Sequence, residues 1–196
     1  MHLVVGLGNP GRKYEGNRHN VGFMAVDELR RAAGLPDFKE KFSAVWTKGD
    51  SFALLKPTTF MNLSGDSVQP ASSFLKVPPS DIIVLHDELD IPFGDVRLKQ
   101  GGGHAGHNGL RSIIERLGTP DFLRIRIGIG RPPPGFRGDV ADYVLQDFDA
   151  SSRAELPAIV DRAVKAAQLV MEKGVTFAMN AVNPATVTTN GAKKKP

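Results

Sequence analysis

Three sets of side chains in this sequence have types and settings suited to chemistry. One is a histidine among polar neighbours, Arg18-His19-Asn20. Another is a carboxylate, Asp87, just beyond the apolar run Asp81-Ile82-Ile83-Val84-Leu85. The third is a trio of carboxamides, Asn9, Asn62 and Asn108, each in a loop beside glycine or proline. Imidazole titrates near neutral pH and can accept a proton from water. Alone, a loop histidine such as His19 is more often a solvent-exposed residue or a helix cap than a base. Asp87 shifts that balance, because a carboxylate at the exit of a central strand can orient an imidazole and stabilise its protonated form. The three asparagines serve either as turn residues or, if they converge, as donors and acceptors for a water, a peptide backbone and a developing oxyanion.

Other chemistries lack their residues or spacing. There is no cysteine, which excludes disulfides, thiolate metal sites and a thiol nucleophile, and a reducing cytoplasm is the simplest location. Ser64, in Asn62-Leu63-Ser64-Gly65, lacks a G-x-S-x-G elbow. His86, Asp87, Glu88 and Asp90, with His104 and His107, are metal-ligand types, but consecutive strand residues alternate in direction and no H-E-x-x-H spacing occurs, so no metal is expected. A hydrolase built on this chain would use water directly and would need a base.

Two segments fit G-x-G-x-x-G: Gly6 to Gly11 and Gly101 to Gly106. The first follows a strand, yet Pro10 removes an amide that a pyrophosphate would use, and the acidic residue expected about 20 positions on falls within a predicted helix. No dinucleotide cofactor is expected. The glycines fit tight turns and close backbone approach, and the second cluster, leading into His107-Asn108-Gly109, would offer helix-start amides to an oxyanion or phosphate.

The surrounding pattern supplies the positioning elements. His2 to Leu7 is a predicted buried strand, Asn20 a predicted N-cap for a helix to about Ala33, and residues 42 to 48 and 52 to 56 a predicted hairpin. A loop from Thr58 to Gly65 precedes a helix to about Leu75. Strands follow at 81–85, 95–99 and 122–127, with a helix from about Asn108 to Leu117. Arg131 to Gly138, with three successive prolines, predicts a stiff exposed loop, and a long amphipathic helix through Leu156, Ile159, Ala163, Ala167 and Val170 ends at Gly174, with Pro157 obscuring its start. The alternation predicts a single-domain α/β three-layer sandwich over residues 1–185, a mixed and mostly parallel sheet with helices on both faces, ligands gathering at the carboxyl ends of the strands. Residues 186–196 predict a disordered Lys-rich tail.

The 196 residues carry a formal charge of +4, which suits an anionic partner, though Lys193, Lys194 and Lys195 contribute much of it at the very end. No stretch approaches the roughly 18 apolar residues of a membrane span, and the N-terminus lacks a signal-peptide pattern.

Taken together, the Gly6-Leu7-Gly8-Asn9-Pro10-Gly11, Arg18-His19-Asn20-Val21-Gly22-Phe23, Lys56-Pro57-Thr58-Thr59-Phe60-Met61-Asn62, His86-Asp87-Glu88-Leu89-Asp90, Gly106-His107-Asn108-Gly109 and Arg126-Ile127-Gly128-Ile129-Gly130 segments closely resemble bacterial-type peptidyl-tRNA hydrolase over residues 1 to about 182. The resemblance implies a monomeric phosphorylase/hydrolase-like domain that releases peptides from prematurely dropped peptidyl-tRNA, without cofactor or metal. It assigns His19 as the base, Asp87 as its orienting partner, Asn9, Asn62 and Asn108 as positioning groups for water and peptide, and Tyr14 and Met61 as cleft-lining residues. Asn108 and a nearby backbone amide would also hold the oxyanion. For the tRNA phosphates, the candidates are Lys99, Arg97, Lys56, Arg124 and Arg126 near the predicted strand ends. Two departures lie beside the site: Asn17 where the family often has threonine, and a longer loop at Arg131 to Val140. The rival readings are a non-catalytic RNA-binding module and a dinucleotide-dependent oxidoreductase.

Overall fold

A computed structural model describes residues 1–184; the predicted tail, residues 186–196, lies outside the described residues. Seven strands form one sheet in the order β2-β3-β4-β1-β5-β7-β6. They are β1 (His2–Gly6), β2 (Lys39–Lys41), β3 (Ala44–Lys48), β4 (Phe52–Pro57), β5 (Ile82–Glu88), β6 (Val96–Gln100) and β7 (Leu123–Gly128). The central strands β4, β1, β5 and β7 are mutually parallel, whereas β3 and β6 run antiparallel to their neighbours. Central strands in such a sheet are covered on both sides, which explains the near-continuous apolar runs of β1 and β5.

Side-chain alternation divides the core. Val4, Ile83, Leu85, Ile125 and Ile127 pack against α1 (Val21–Ala32) and the long α5 (Ala150–Lys173). Leu3, Val5, Ile82 and Val84 face the opposite way, onto α2 (Gly65–Leu75) and α3 (Asn108–Leu117). The result is the three-layer α/β/α sandwich expected from the sequence, but the sheet is not mostly parallel in its pairing. Three pairs are parallel and three, β2-β3, β3-β4 and β6-β7, antiparallel, because the consecutive strands β2, β3 and β4 pair as hairpins at one edge and β6 joins β7 antiparallel at the other. Two short helices, α4 (Val140–Val144) and α6 (Val175–Val182), complete the described chain. Among the described residues no helix is long and apolar enough to cross a membrane.

Several local expectations need correction. Asn20 makes no cap hydrogen bond, because a 3-10 turn over Arg18–Asn20 runs straight into α1 and leaves its carboxamide free for another task. Helix α5 begins at Ala150, capped by Asp149, and carries Pro157 in its interior, where the proline ring is exposed. The Pro-rich segment does not lead directly into that helix. Asp139 and Asp142 form a reciprocal capping box that starts α4 first.

Two glycine contacts set the spacing of the layers near the strand exits. A Cβ built on Gly22, in the first turn of α1, would lie 2.3 Å from the Leu85 carbonyl oxygen and 2.6 Å from the Leu7 nitrogen. On the other face, a Cβ on Gly65 would lie 2.2 Å from the Ser112 carbonyl oxygen, where α2 meets α3. The first contact brings the turn carrying His19 against the exit of β5. Gly22→Ala is therefore expected to destabilise the protein by about 2–3 kcal/mol through overpacking, despite alanine's helix-propensity advantage of about 1 kcal/mol. Thermal unfolding should show a clear drop in Tm; an unchanged Tm would mean that the layers can separate freely.

Candidate active site

Strand β5 ends at the carboxyl edge of the sheet with Asp87, whose side chain is 2% exposed. His19 approaches from the α1 layer and His107 from the α3 layer, each with a ring nitrogen 2.9 Å from an Asp87 carboxylate oxygen. The tautomers follow from their partners. His107 Nδ1 accepts the amides of Gly109 (3.2 Å) and Leu110 (3.4 Å), capping α3, so its Nε2–H donates to Asp87. His19 donates its Nδ1–H to the same carboxylate, and among the described residues its Nε2, on the cleft side, has no hydrogen-bond partner. His86, fully buried behind them, donates Nδ1–H to the Asp87 carbonyl at 2.7 Å.

These contacts shape the electrostatics. Burial pushes the His19 pKa down, but the Asp87 charge and hydrogen bond outweigh it, and the net direction is upward. Burial raises Asp87, yet His19 and His107 overcome that and hold the carboxyl well below its usual range. Burial, helped by His107, lowers His86 to about 3, so it stays neutral.

The cleft beside this trio has a volume of about 670 Å³ and is lined by Asn9, Met61, Asn62 and Asn108 as well as His19, Asp87 and His107. The three asparagines thus share one cleft. Asn9 is the most constrained. Its side-chain oxygen accepts the Met61 amide at 2.8 Å, while the Asn20 carboxamide brackets its backbone N–H and C=O, both at 2.9 Å. That bracket is what the uncapped Asn20 does instead of capping α1. Of the first amides of α3, His107 occupies those of Gly109 and Leu110, so the row of unpaired amides expected at this helix start reduces, among the described residues, to that of Asn108.

An apolar wall of the cleft comes from a region missed in the sequence, Val140, Val144 and Leu145 of α4 and its exit; Leu89 and the exposed ring of Phe60 also line it. Arg18 ties this wall to the His19 turn, bonding the carbonyls of Tyr143 (3.4 Å) and Gln146 (3.3 Å) and lying over the Tyr143 ring. Asn17, the departure noted above, donates to Asp147 at 2.6 Å and reinforces the same junction. Tyr14, by contrast, is not among the cleft-lining residues and instead packs under Lys13.

The five basic candidates separate. The β6–β7 register sets Arg97 opposite Arg126 and Lys99 opposite Arg124. Like charges facing each other across strands are destabilising unless an anion or local partners offset them. Arg124 has such partners: it is buried, and its guanidinium braces the glycine loop by donating to the carbonyls of Gly102 and Gly103. It is a loop support rather than a free cation. Arg126 pairs with Glu88 at 3.1 Å, Arg97 pairs with Asp95 at 3.1 Å, and Lys99 stands exposed. Lys56 lies elsewhere. Strand alternation turns it toward α1, where it pairs with Asp27 at 2.5 Å, packs over Phe23 and Phe38, and lines a separate cavity.

His19, Asp87 and His107 offer ligand atoms within 4.8 Å of one another, a spacing compatible with a metal. Both ring nitrogens on Asp87 carry hydrogens, however, and the other His107 nitrogen is committed to α3, so the trio is organised as a hydrogen-bond chain.

A three-layer sandwich whose sheet presents a histidine–aspartate pair at its carboxyl edge, beside a carboxamide-lined cleft, has the form of an α/β enzyme. The peptidyl-tRNA hydrolase family profile matches residues 3–191, and this chain belongs to that family. A peptidyl-tRNA hydrolase of Sorangium cellulosum is 59% identical over 187 residues, 93% of this chain and 84% of that protein. One from Geotalea daltonii is 50% identical over 93% of this chain and 96% of its own length. The crystal structure of peptidyl-tRNA hydrolase from Acinetobacter baumannii matches with a TM-score of 0.86 at 40% identity, covering 93% of this chain and 94% of that one.

Proposed function

We propose that this chain hydrolyses the ester between peptide and tRNA in peptidyl-tRNA, with His19 as general base and Asp87 as its orienting partner. The observation that carries this reading is the 2.9 Å contact of His19 Nδ1 with Asp87, with Nε2 on the cleft side and without a hydrogen-bond partner among the described residues. Neutral His19 takes a proton from water as the water attacks the ester carbonyl, and Asp87 stabilises the imidazolium that forms. Asn108, through its side chain and its amide, stabilises the tetrahedral oxyanion; Asn9 and Asn62 position water and peptide, and Met61 lines the floor.

The ribose ester is already labile, so positioning and one base suffice, without metal or organic cofactor. Lys99 and Arg126, with Arg97, form the tRNA phosphate grip, which is sequence-independent as an enzyme for many tRNAs requires. The enzyme acts as a monomer in the cytoplasm.

The direct test is cleavage of N-acetyl-aminoacyl-tRNA beside unblocked aminoacyl-tRNA, with and without a chelator. Wild type should cleave the blocked substrate far faster, and the chelator should change nothing. Cleavage of neither substrate, or loss of activity to the chelator, would refute the reading.

A further inference from the structure

Asp87 is shared by two imidazoles, and the mechanism above uses only one. His107 touches everything around the base. Its Nε2–H donates to Asp87 Oδ1, the same oxygen that His19 approaches, and its ring centroid lies 5.0 Å from those of both His19 and His86. Its opposite nitrogen caps α3, the helix whose first residue is Asn108. One side chain therefore joins the carboxylate that orients the base to the helix start that presents a carboxamide to the same cleft. A histidine is an unusual N-cap, since serine, threonine, asparagine and aspartate do that task with a shorter side chain. Capping alone does not account for a group that also reaches Asp87.

We propose that His107 is a positioning residue for the hydrolysis: it holds Asp87 from the α3 side, and so sets both the aim of the carboxylate at His19 and the proton affinity of His19. This rests on the reading of His19 as the base. A carboxylate with two N–H donors spreads its charge between them. Removing the His107 donor leaves Asp87 free to rotate and commits more of its charge to His19, which would hold its proton more tightly. The base would then be worse aimed and ionised to higher pH. The other charged and titratable groups around the cleft have partners of their own: Asp90 pairs with Arg131, and His104 Nδ1 accepts the Gly106 amide. His86 on β5 stays neutral through burial, Arg124 on β7 is spent on the glycine loop, and Glu88 is paired with Arg126. Arg111, one turn along α3, points toward Glu115 at 4.0 Å, and Arg18 is turned to Tyr143.

The two functions of the ring separate by substitution. An asparagine oxygen occupies the place of Nδ1 and can cap α3 but cannot reach Asp87; a glutamine nitrogen reaches the place of Nε2 and can donate to Asp87 but caps poorly. His107→Asn is expected to keep Tm near wild type, lower kcat on the order of tenfold to a hundredfold with KM little changed, and move the acid limb of the pH profile to higher pH. His107→Gln is expected to lower Tm while keeping the wild-type limb and most of kcat. A His107→Asn enzyme with wild-type kcat and limb would overturn the proposal, as would losses in both variants that follow Tm. His19→Ala, run alongside, separates the two failures. If it stays active the base assignment falls, whereas if it is inactive and His107→Asn is normal, only the role of His107 falls.

Discussion

His19→Ala is expected to lower kcat/KM for N-acetyl-aminoacyl-tRNA on the order of 10²–10⁴-fold, the range that a positioned general base contributes. The fold should survive the change. Asp87 would keep its His107 donor at 2.9 Å, so the buried carboxylate is not stranded, and the lost hydrogen bond costs about 1–3 kcal/mol. Affinity for tRNA should also hold, because the proposed phosphate contacts lie on β6 and β7 and do not involve the His19 turn. The wild-type pH profile supplies a second check. The base works only when neutral, and Asp87 raises its pKa against the opposing effect of burial. Activity should therefore climb with pH through a limb lying above the 6.5 of an unperturbed imidazole. A limb at or below that value would mean that Asp87 does not stabilise the imidazolium. Near-normal rates in His19→Ala would remove the base altogether.

How much of this was legible in the sequence varied with the physical signal available. Strands β1 and β5 announce themselves because both faces are buried, which leaves a run of apolar residues in place of an alternation. The exposed Lys39–Lys41 strand carries no such run. Helix α4 was hidden by the prolines before it and by a capping box that uses aspartate at both positions, Asp139 and Asp142, where serine or threonine with glutamate is the usual signature. Helix α6 lay behind Gly174, which ends α5 as expected but also begins the next helix.

Within the site, His19 and Asp87 stood out as a candidate base and its partner by residue type and by strand position, and the fold brings them into contact although 68 positions separate them. The convergence of Asn9, Asn62 and Asn108 on one cleft could not be read from spacing, because loops of unrelated origin supply them. His107 was missed as a site residue for a related reason: the triplet His107-Asn108-Gly109 looks the same whether the histidine caps a helix or reaches across to a neighbouring strand, and here it does both. Arg124 erred in the other direction. A cation on a strand suggests surface, and only the fold shows the carbonyls of Gly102 and Gly103 that it satisfies.

Asp87→Asn provides the sharpest test of the shared carboxylate, with an expected loss in kcat on the order of 10²–10⁴-fold although the new side chain has the same shape. Two N–H groups converge on Asp87: His19 Nδ1–H lies 2.9 Å from both oxygens, and His107 Nε2–H lies 2.9 Å from Oδ1. A carboxamide meets both without conflict in neither orientation. With its oxygen at the Oδ1 position it can accept from both rings, but its NH2 then occupies the Oδ2 position, against the same His19 Nδ1–H; flipped, it sets that NH2 against both rings. The simplest relief is for His19 to move its proton to Nε2 and accept at Nδ1, which removes the lone pair that faced the cleft. The pH dependence carries the opposite sign to that expected for His107→Asn. Without the carboxylate, burial alone acts on His19 and lowers its pKa, so the acid limb should shift to lower pH while the plateau collapses. A plateau near wild type would show that the tautomer of His19 does not matter to the reaction. A collapsed plateau with an unmoved limb would show that the limb reports some group other than His19. The opposed shifts of the two variants would mark Asp87 as the point through which both histidines act.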